Sequence, residues 1–538
     1  MSSSPRVALI LSLGLSSLVL CAHSLLFNFV TDDAFISFVY AKNLVQHGAL
    51  VFNVGERVEG YTNFLWTLIV ALGLALKIPA ELSSRVLGTL CAIGTMLFCA
   101  KVLRRLRDPS ADASSGLQTL WDSVPAWILA GIPGYACWAS GGLETQLFTL
   151  LCTVSIGLYL IGTLDEDASQ SVRLFPIGLL LGLAALTRPE GYLLCALLGL
   201  HRIYVKVSRR ALVPTQDELY LVGLFLALTV PHLVWRRLYY GYFVPNTFYI
   251  KSSGGSGAWL QGRYYLWAVV RDLKLVVLPL LWLVGFGRAL PSAQDAAYRR
   301  VGGLLLCWAV PFLLYVMSVG GDFMGLYRFV MPIVPLLVLA GVLGLWRLVH
   351  HRALWTGLVL GGFALLHGLN SYVVDRHALS FIGADHGIDT PGYLRHYTRD
   401  RAAIGKWLGQ HVQPDDYQVV GGAGAQVYYA GIRALDSFGL SDEYVAHKVP
   451  AVSSRPGHQK FAPLDYVLSR KPTILTYNVY RIGHAPYRPS PQEAADWRAR
   501  GFHYVSVQVP GLSAPWYSFL KRIDRSLGPL PPDTEPSP

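Results

Sequence analysis

Two adjacent carboxylates, Asp32 and Asp33, stand directly after an apolar stretch that runs from near Val7 to Val30. Left in hydrocarbon such a pair is costly, so it must face water, a cation or a reacting substrate. One chemistry that uses a carboxylate in this place is inverting sugar transfer, where a base takes the proton of an acceptor hydroxyl as its oxygen attacks the anomeric carbon. Two neighbouring acids on a helix-like backbone do not both point into one small site. One acts as the base, and the other orients it, binds a cation or caps the helix that TDDA opens.

A sugar carried on a polyprenyl phosphate leaves negative charge behind, which calls for nearby cations. Arg188 in TRPEG, Lys251 after PNTFY and Arg328 in GLYRF each sit at the edge of an apolar span, and interfacial snorkelling explains the two arginines equally. Asn246 and Tyr249 add hydrogen-bonding groups beside Lys251. Glu144 in GLET, Glu190 in TRPEG and Asp322 in GGDF fall at span ends, where helix capping or an arginine partner also accounts for them. Glu59, with Tyr61 and Asn63 in VEGYTN, reads as a partner for an acceptor sugar or for an arginine. No spacing of these groups makes a metal set. The metal is undefined, a divalent cation stays open, and no other cofactor is implied.

The chain that must position these groups has 538 residues, 53% of them hydrophobic and only 14% charged, which is too apolar for a soluble enzyme of this size. It reads as a polytopic α-helical membrane protein. The net charge of +12 gathers in basic clusters between apolar spans, a topology signal that argues against nucleic-acid binding. Seven cysteines lie in or beside apolar segments and read as small buried side chains.

Apolar stretches near 7–28, 63–80, 86–103, 124–139, 144–163, 173–188, 190–205, 219–238, 264–288, 301–319, 328–346 and 354–373 can span a bilayer. Basic clusters at 101–107, 202–210, 288–300 and 347–352 mark the cytoplasmic side. Every loop rich in potential chemistry then lies on the opposite, outer face. The scheme closes only if one of 63–80 and 86–103 is re-entrant or surface-lying, leaving about eleven spans.

Residues 1–374 thus form a transmembrane module whose first outer loop is 30–62. Residues 375–538 form an outer mixed α/β domain, with helices at Thr398–His411 and Pro491–Arg500, strands at Tyr417–Gly421, Thr473–Tyr477 and His503–Val509, and a disordered Pro-rich tail.

The run TDDAFISFVYAKNLVQHGALVFNVGERVEGYTNFLW, with GLET at 142–145, LTRPEG at 186–191, VPNTFYIK at 244–251 and GGDFMGLYRF at 320–329, resembles the GT-C membrane glycosyltransferases. Within them it is most similar to the AftB-like arabinofuranosyltransferases of mycobacterial cell-wall synthesis. ALDSFGLSDEYVA at 434–446 extends the likeness, more loosely, into the outer domain. The resemblance implies a polyprenyl-phosphate sugar donor, an active site on the outer face of a bacterial inner membrane, and a base in the first outer loop, Asp33 or Asp32. It leaves the sugar open, arabinofuranose included, and the acceptor open between glycan, lipid and protein. The rival reading is a lipid-glycan flippase, which places charges near mid-span rather than at one set of helix ends.

Overall fold

The computed structural model describes residues 5–107, 120–167, 174–208, 210, 213–251, 255–285, 292–350, 353–453, 455, 457–477 and 479–527. The expected Pro-rich tail lies outside the described residues.

Among the described residues, seven helices are long and apolar enough to cross a membrane: Arg6–Phe27, Ala80–Arg107, Thr145–Gly162, Gln216–Tyr240, Tyr298–Ser318, Arg328–Val349 and Leu354–Ser380. Protein buries 89% of the apolar window in Arg328–Val349 but only 6% of that in Leu354–Ser380. The first is the bundle's axis, and the second presents Leu358, Leu365 and Leu366 outward, a surface suited to lipid and not to water. The expected count of about eleven draws also on shorter apolar segments such as Phe175–Thr187.

Helix Phe64–Ala75 has 12 residues, about 18 Å of helix against about 30 Å of hydrocarbon. Asn63 donates to Glu144 at 2.7 Å at one end, and Tyr429 of the C-terminal domain donates to Glu81 just beyond the other. As one straight helix Phe64–Ala75 is too short to cross, whereas the 28 residues of Ala80–Arg107 are long enough.

The expected span at 264–288 is not one helix. Helix Gly255–Leu273 runs along the C-terminal domain, with Gln261 donating to the His386 carbonyl and Tyr264 to Asp385, each at 2.8 Å. It stops at Lys274, which adopts φ 54°, and Val277–Gly285 restarts beyond it. Hydropathy merged the two because nothing in RDLKLVV announces a left-handed lysine.

Helix Ala353–Ser380 carries the chain out of the bundle, past residue 374 where composition changes. A hairpin of β1 (Ala384–Asp385) and β2 (Ile388–Asp389) follows. A sheet of β3 (Tyr417–Val420), β4 (Arg433–Asp436), β5 (Ile474–Leu475), β6 (Arg481–Gly483), β7 (Phe502–Gln508) and β8 (Trp516–Arg522) forms the domain's body. β4, β3 and β5 are parallel neighbours, and β8 runs antiparallel to β5, β6 and β7. Val419, Leu435, Val505 and Phe519 are fully buried around it.

Candidate active site

The acidic doublet opens helix Asp32–His47. Thr31 precedes it in extended conformation, the two acids occupy the first turn where the helix dipole favours negative charge, and Gly48 closes it in the left-handed region at φ 65°. Its first ten residues are almost wholly buried because the helix lies between the bundle and the C-terminal domain. The Thr31 N–H donates to the Gly141 carbonyl at 3.0 Å, which fixes the helix start to the SGGLET loop. That loop turns at Gly142, φ 88°, where a side chain would also strike Val30.

The two acids face different surroundings. Asp32 is 6% exposed and accepts the Ala425 N–H at 2.8 Å. A Cβ on Gly424 would stand 1.9 Å from the Asp32 carbonyl oxygen, so only glycine admits this contact. Burial raises the Asp32 carboxyl above the usual range, opposed by the Ala425 N–H and by the Arg401 guanidinium. Asp33 is only partly buried and lines two cavities at once.

The larger cavity, about 280 Å³, lies against the C-terminal domain. Gly421 and Gly422 follow β3, Asp436 and Phe438 end β4, and Thr476 and Tyr477 follow β5, so three parallel strands point their carboxyl ends into it. Parallel sheets place ligand sites there. Helix Pro391–His411 adds Tyr393, Tyr397 and Arg401. Arg455 also lines it, paired with Asp389 at 2.7 Å. Burial pushes Asp436 up to about 7 and Asp389 up to about 6, the latter against the pull of Arg455. Aromatic faces with convergent hydrogen-bonding groups suit a sugar ring. The sequence reading missed these residues; the available signal was LDSFG and VVGGAG, each a β-strand pattern running into glycine.

The smaller cavity, about 70 Å³, brings together Asp33, Tyr61, Asn63, Glu144, Arg188 and Arg328. Arg188 pairs with Glu144 at 2.6 Å and with Glu190 at 2.8 Å. Arg328 pairs with Asp322. Asn63 links Glu144 to Ser37, one turn beyond Asp33, at 2.9 Å. Charged groups predicted from four separate loops thus meet at one cavity, where both guanidiniums already have carboxylate partners.

Other predicted residues stand apart from it. Glu59 is buried and pairs with Arg236 at 2.8 Å, and burial pushes its carboxyl up to about 7 despite that partner. The Asn246 amide donates to the Gly439 and Leu440 carbonyls at 2.8 and 3.1 Å, which ties the VPNTFY loop to the C-terminal domain. The Tyr249 ring packs 4.1 Å from that of His447. Lys251 ends helix Asn246–Lys251, and its side chain lies outside the described residues. Among the described residues no group of three or more His, Cys, Asp or Glu is placed to hold a metal.

Residues 386–520 match a family described as a domain of unknown function, DUF8728. The terminal β-(1→2)-arabinofuranosyltransferase of Mycobacterium tuberculosis is 24% identical over 536 residues, covering 83% of this chain and 83% of that protein. Its counterpart from Corynebacterium glutamicum is 26% identical over 350 residues, covering 58% of this chain and 48% of its own length. Among solved structures, ArnT from Cupriavidus metallidurans bound to undecaprenyl phosphate superposes with a TM-score of 0.58 at 13% identity, over 97% of this chain and 99% of that one. The Archaeoglobus fulgidus oligosaccharyltransferase AglB, in complex with an inhibitory peptide and a dolichol-phosphate, gives 0.51 at 11% identity over 81% and 65%. The fold is the ArnT-like GT-C fold of a multi-pass membrane protein, with a mixed α/β domain at its C-terminus.

Proposed function

We propose that this protein is an inverting GT-C glycosyltransferase that moves a sugar, arabinofuranose by its relatives, from a polyprenyl-phosphate donor to a cell-envelope glycan. Asp33 is the base. The observation that carries this reading is the place of Asp33 in the wall shared by the two cavities, where one carboxylate reaches groups bound on either side.

The acceptor sugar occupies the larger cavity. Its hydroxyl gives its proton to Asp33 as the oxygen bonds to the anomeric carbon from the face opposite the phosphate. The bond from that carbon to the phosphate oxygen breaks, and polyprenyl phosphate leaves with the charge. Arg188 and Arg328 lie on the donor side and stabilise that charge as it grows, with Lys251 as a further candidate. The membrane is the bacterial inner membrane, with the C-terminal domain and both cavities on its periplasmic face.

Similarity to transferases, together with charges gathered at the domain-side helix ends, favours transfer over a flippase, whose path needs charges near mid-span. The deciding experiment incubates purified protein with polyprenyl-phosphate arabinofuranose and an arabinofuranosyl oligosaccharide. Acceptor-dependent release of polyprenyl phosphate is expected; release unaffected by acceptor, or none, refutes the reading.

A further inference from the structure

Arg401 is a buried cation of the larger cavity, and among the described residues none of its hydrogen-bonding partners is a carboxylate. Its guanidinium donates to the Gln426 side-chain oxygen at 3.2 Å and to the Tyr480 hydroxyl, and lies over the rings of Tyr397 and Tyr480 at 4.8 and 4.3 Å. This sets it apart from Arg188, Arg328 and Arg455, each of which holds an acid directly. The carboxylate that feels its charge is Asp32, in the other module, beyond ion-pair distance.

The same arginine grips the segment on which Asp32 rests. Gln426 follows Ala425, the residue whose N–H Asp32 accepts, and its side chain is further held by Gln418 and Thr476 at 3.0 and 3.2 Å. Tyr397 and Asp32 both close on Gly422, where a Cβ would meet the Tyr397 hydroxyl at 2.3 Å and an Asp32 oxygen at 3.0 Å. Arg401, Gln426, Ala425 and Asp32 therefore form one continuous contact from the C-terminal domain to the start of the outer helix, and the next residue along is Asp33.

We infer that Arg401 is a positioning residue: from the C-terminal domain its charge and its grip on Gln426 hold Asp32 seated on Ala425, and so set where the neighbouring Asp33 points. The inference rests on Asp33 as the base and adds that the transmembrane module does not complete the site alone. A buried carboxylate that loses its nearby cation takes up a proton more readily. A protonated Asp32 is a poorer acceptor for the Ala425 N–H. Its other charged and titratable neighbours are Tyr397 from helix Pro391–His411 and Asp33 on its own helix; Tyr480 stands behind Arg401, and Asp389, Asp436, Arg455, His458, Tyr393 and Tyr477 lie elsewhere in the same cavity.

The test uses the full-length protein in lipid nanodiscs with three variants, Arg401→Met, Arg401→Lys and Asp32→Asn, screened first for unaltered thermal unfolding. Arg401→Met is expected to lower kcat by about tenfold or more with KM for donor and acceptor changed less than about threefold, and to move the acid limb of the pH profile upward. Arg401→Lys, which keeps the charge, restores the limb. A wild-type pH limb in Arg401→Met, or a loss confined to KM, overturns the inference. Hydrogen exchange at Gly424 and Ala425 supplies a reading that does not need activity. Faster exchange in Arg401→Met and Asp32→Asn is expected even if no sugar is transferred, and unchanged protection in both overturns the proposal.

Discussion

The Arg188 guanidinium meets the Glu144 carboxylate at 2.6 Å, with one partner from the RPEG turn and the other from the GLET turn. Glu190 takes the same guanidinium from its other edge at 2.8 Å. Two buried carboxylates thereby share one largely buried guanidinium. Removing only the cation leaves two acids facing each other without a partner, which costs about 3–5 kcal/mol in buried networks. Arg188→Met is expected to lower the unfolding temperature markedly in detergent, whereas Arg188→Met combined with Glu144→Gln and Glu190→Gln recovers much of the loss. Stability unaltered in the single variant would show that this cluster contributes little to the fold.

The doublet separates into two roles. Asp33→Asn is expected to lower kcat about 100-fold or more with donor affinity unchanged, because an amide cannot take the acceptor proton. Asp32→Ala deletes the acceptor for the Ala425 N–H and is expected to cost about 1 kcal/mol of stability, as loss of a helix cap does. Measuring kcat, donor affinity and thermal unfolding for both variants separates base from anchor. Equal kinetic losses at the two positions would contradict the division.

The bundle was legible in the sequence because apolar length reports directly on membrane crossing, and Asp32, Asp33, Glu144, Arg188 and Arg328 stood out as charges at span ends. Charge bookkeeping across the bilayer asked one of 63–80 and 86–103 not to cross, and the shorter helix of the two is Phe64–Ala75. The larger cavity was not legible. Arg401, Asp436 and Tyr477 lie in stretches with no apolar contrast, and only the parallel order of β4, β3 and β5 collects their strand ends at Asp33. Such pairing is non-local, and no spacing along the chain encodes it. Asn246 and Glu59 lie away from the smaller cavity: backbone carbonyls of the C-terminal domain hold the first, and Arg236 of helix Gln216–Tyr240 holds the second, the arginine partner that VEGYTN suggested.

The rings of the larger cavity supply a test of acceptor binding. Tyr477 follows β5 and packs against Phe438 at the end of β4, with ring centroids 6.0 Å apart. Removing one ring from a sugar-stacking wall costs about 0.5–1.5 kcal/mol. Tyr477→Ala is expected to raise KM for the acceptor about two- to tenfold and to leave donor binding alone. A change in donor KM of the same size would place the donor sugar, not the acceptor, in this cavity.

The acids at the domain interface make stability depend on pH in a direction opposite to that of ordinary ion-paired carboxylates. Asp436 is buried at the end of β4, and burial lifts its carboxyl from 3.8 to about 7, although it accepts the Phe438 and Ser441 N–H groups at 3.0 and 2.9 Å. Asp389 is lifted in the same way, to about 6. A group that binds its proton more tightly when folded contributes stability that is full below its unfolded value, near 4, and lost as pH rises through the folded value. The protein is therefore expected to unfold at higher temperature at pH 6 than at pH 8, through a difference on the order of 1–3 kcal/mol. Asp436→Asn, which keeps an uncharged acceptor there, is expected to flatten the pH dependence between 6 and 8 and to leave that from Asp389 at lower pH. Thermal unfolding from pH 5 to 8.5 measures both slopes. A wild-type protein that gains stability across that range as pH rises would mean that backbone N–H groups and Arg455 outweigh burial, and that both carboxylates are charged in the folded state.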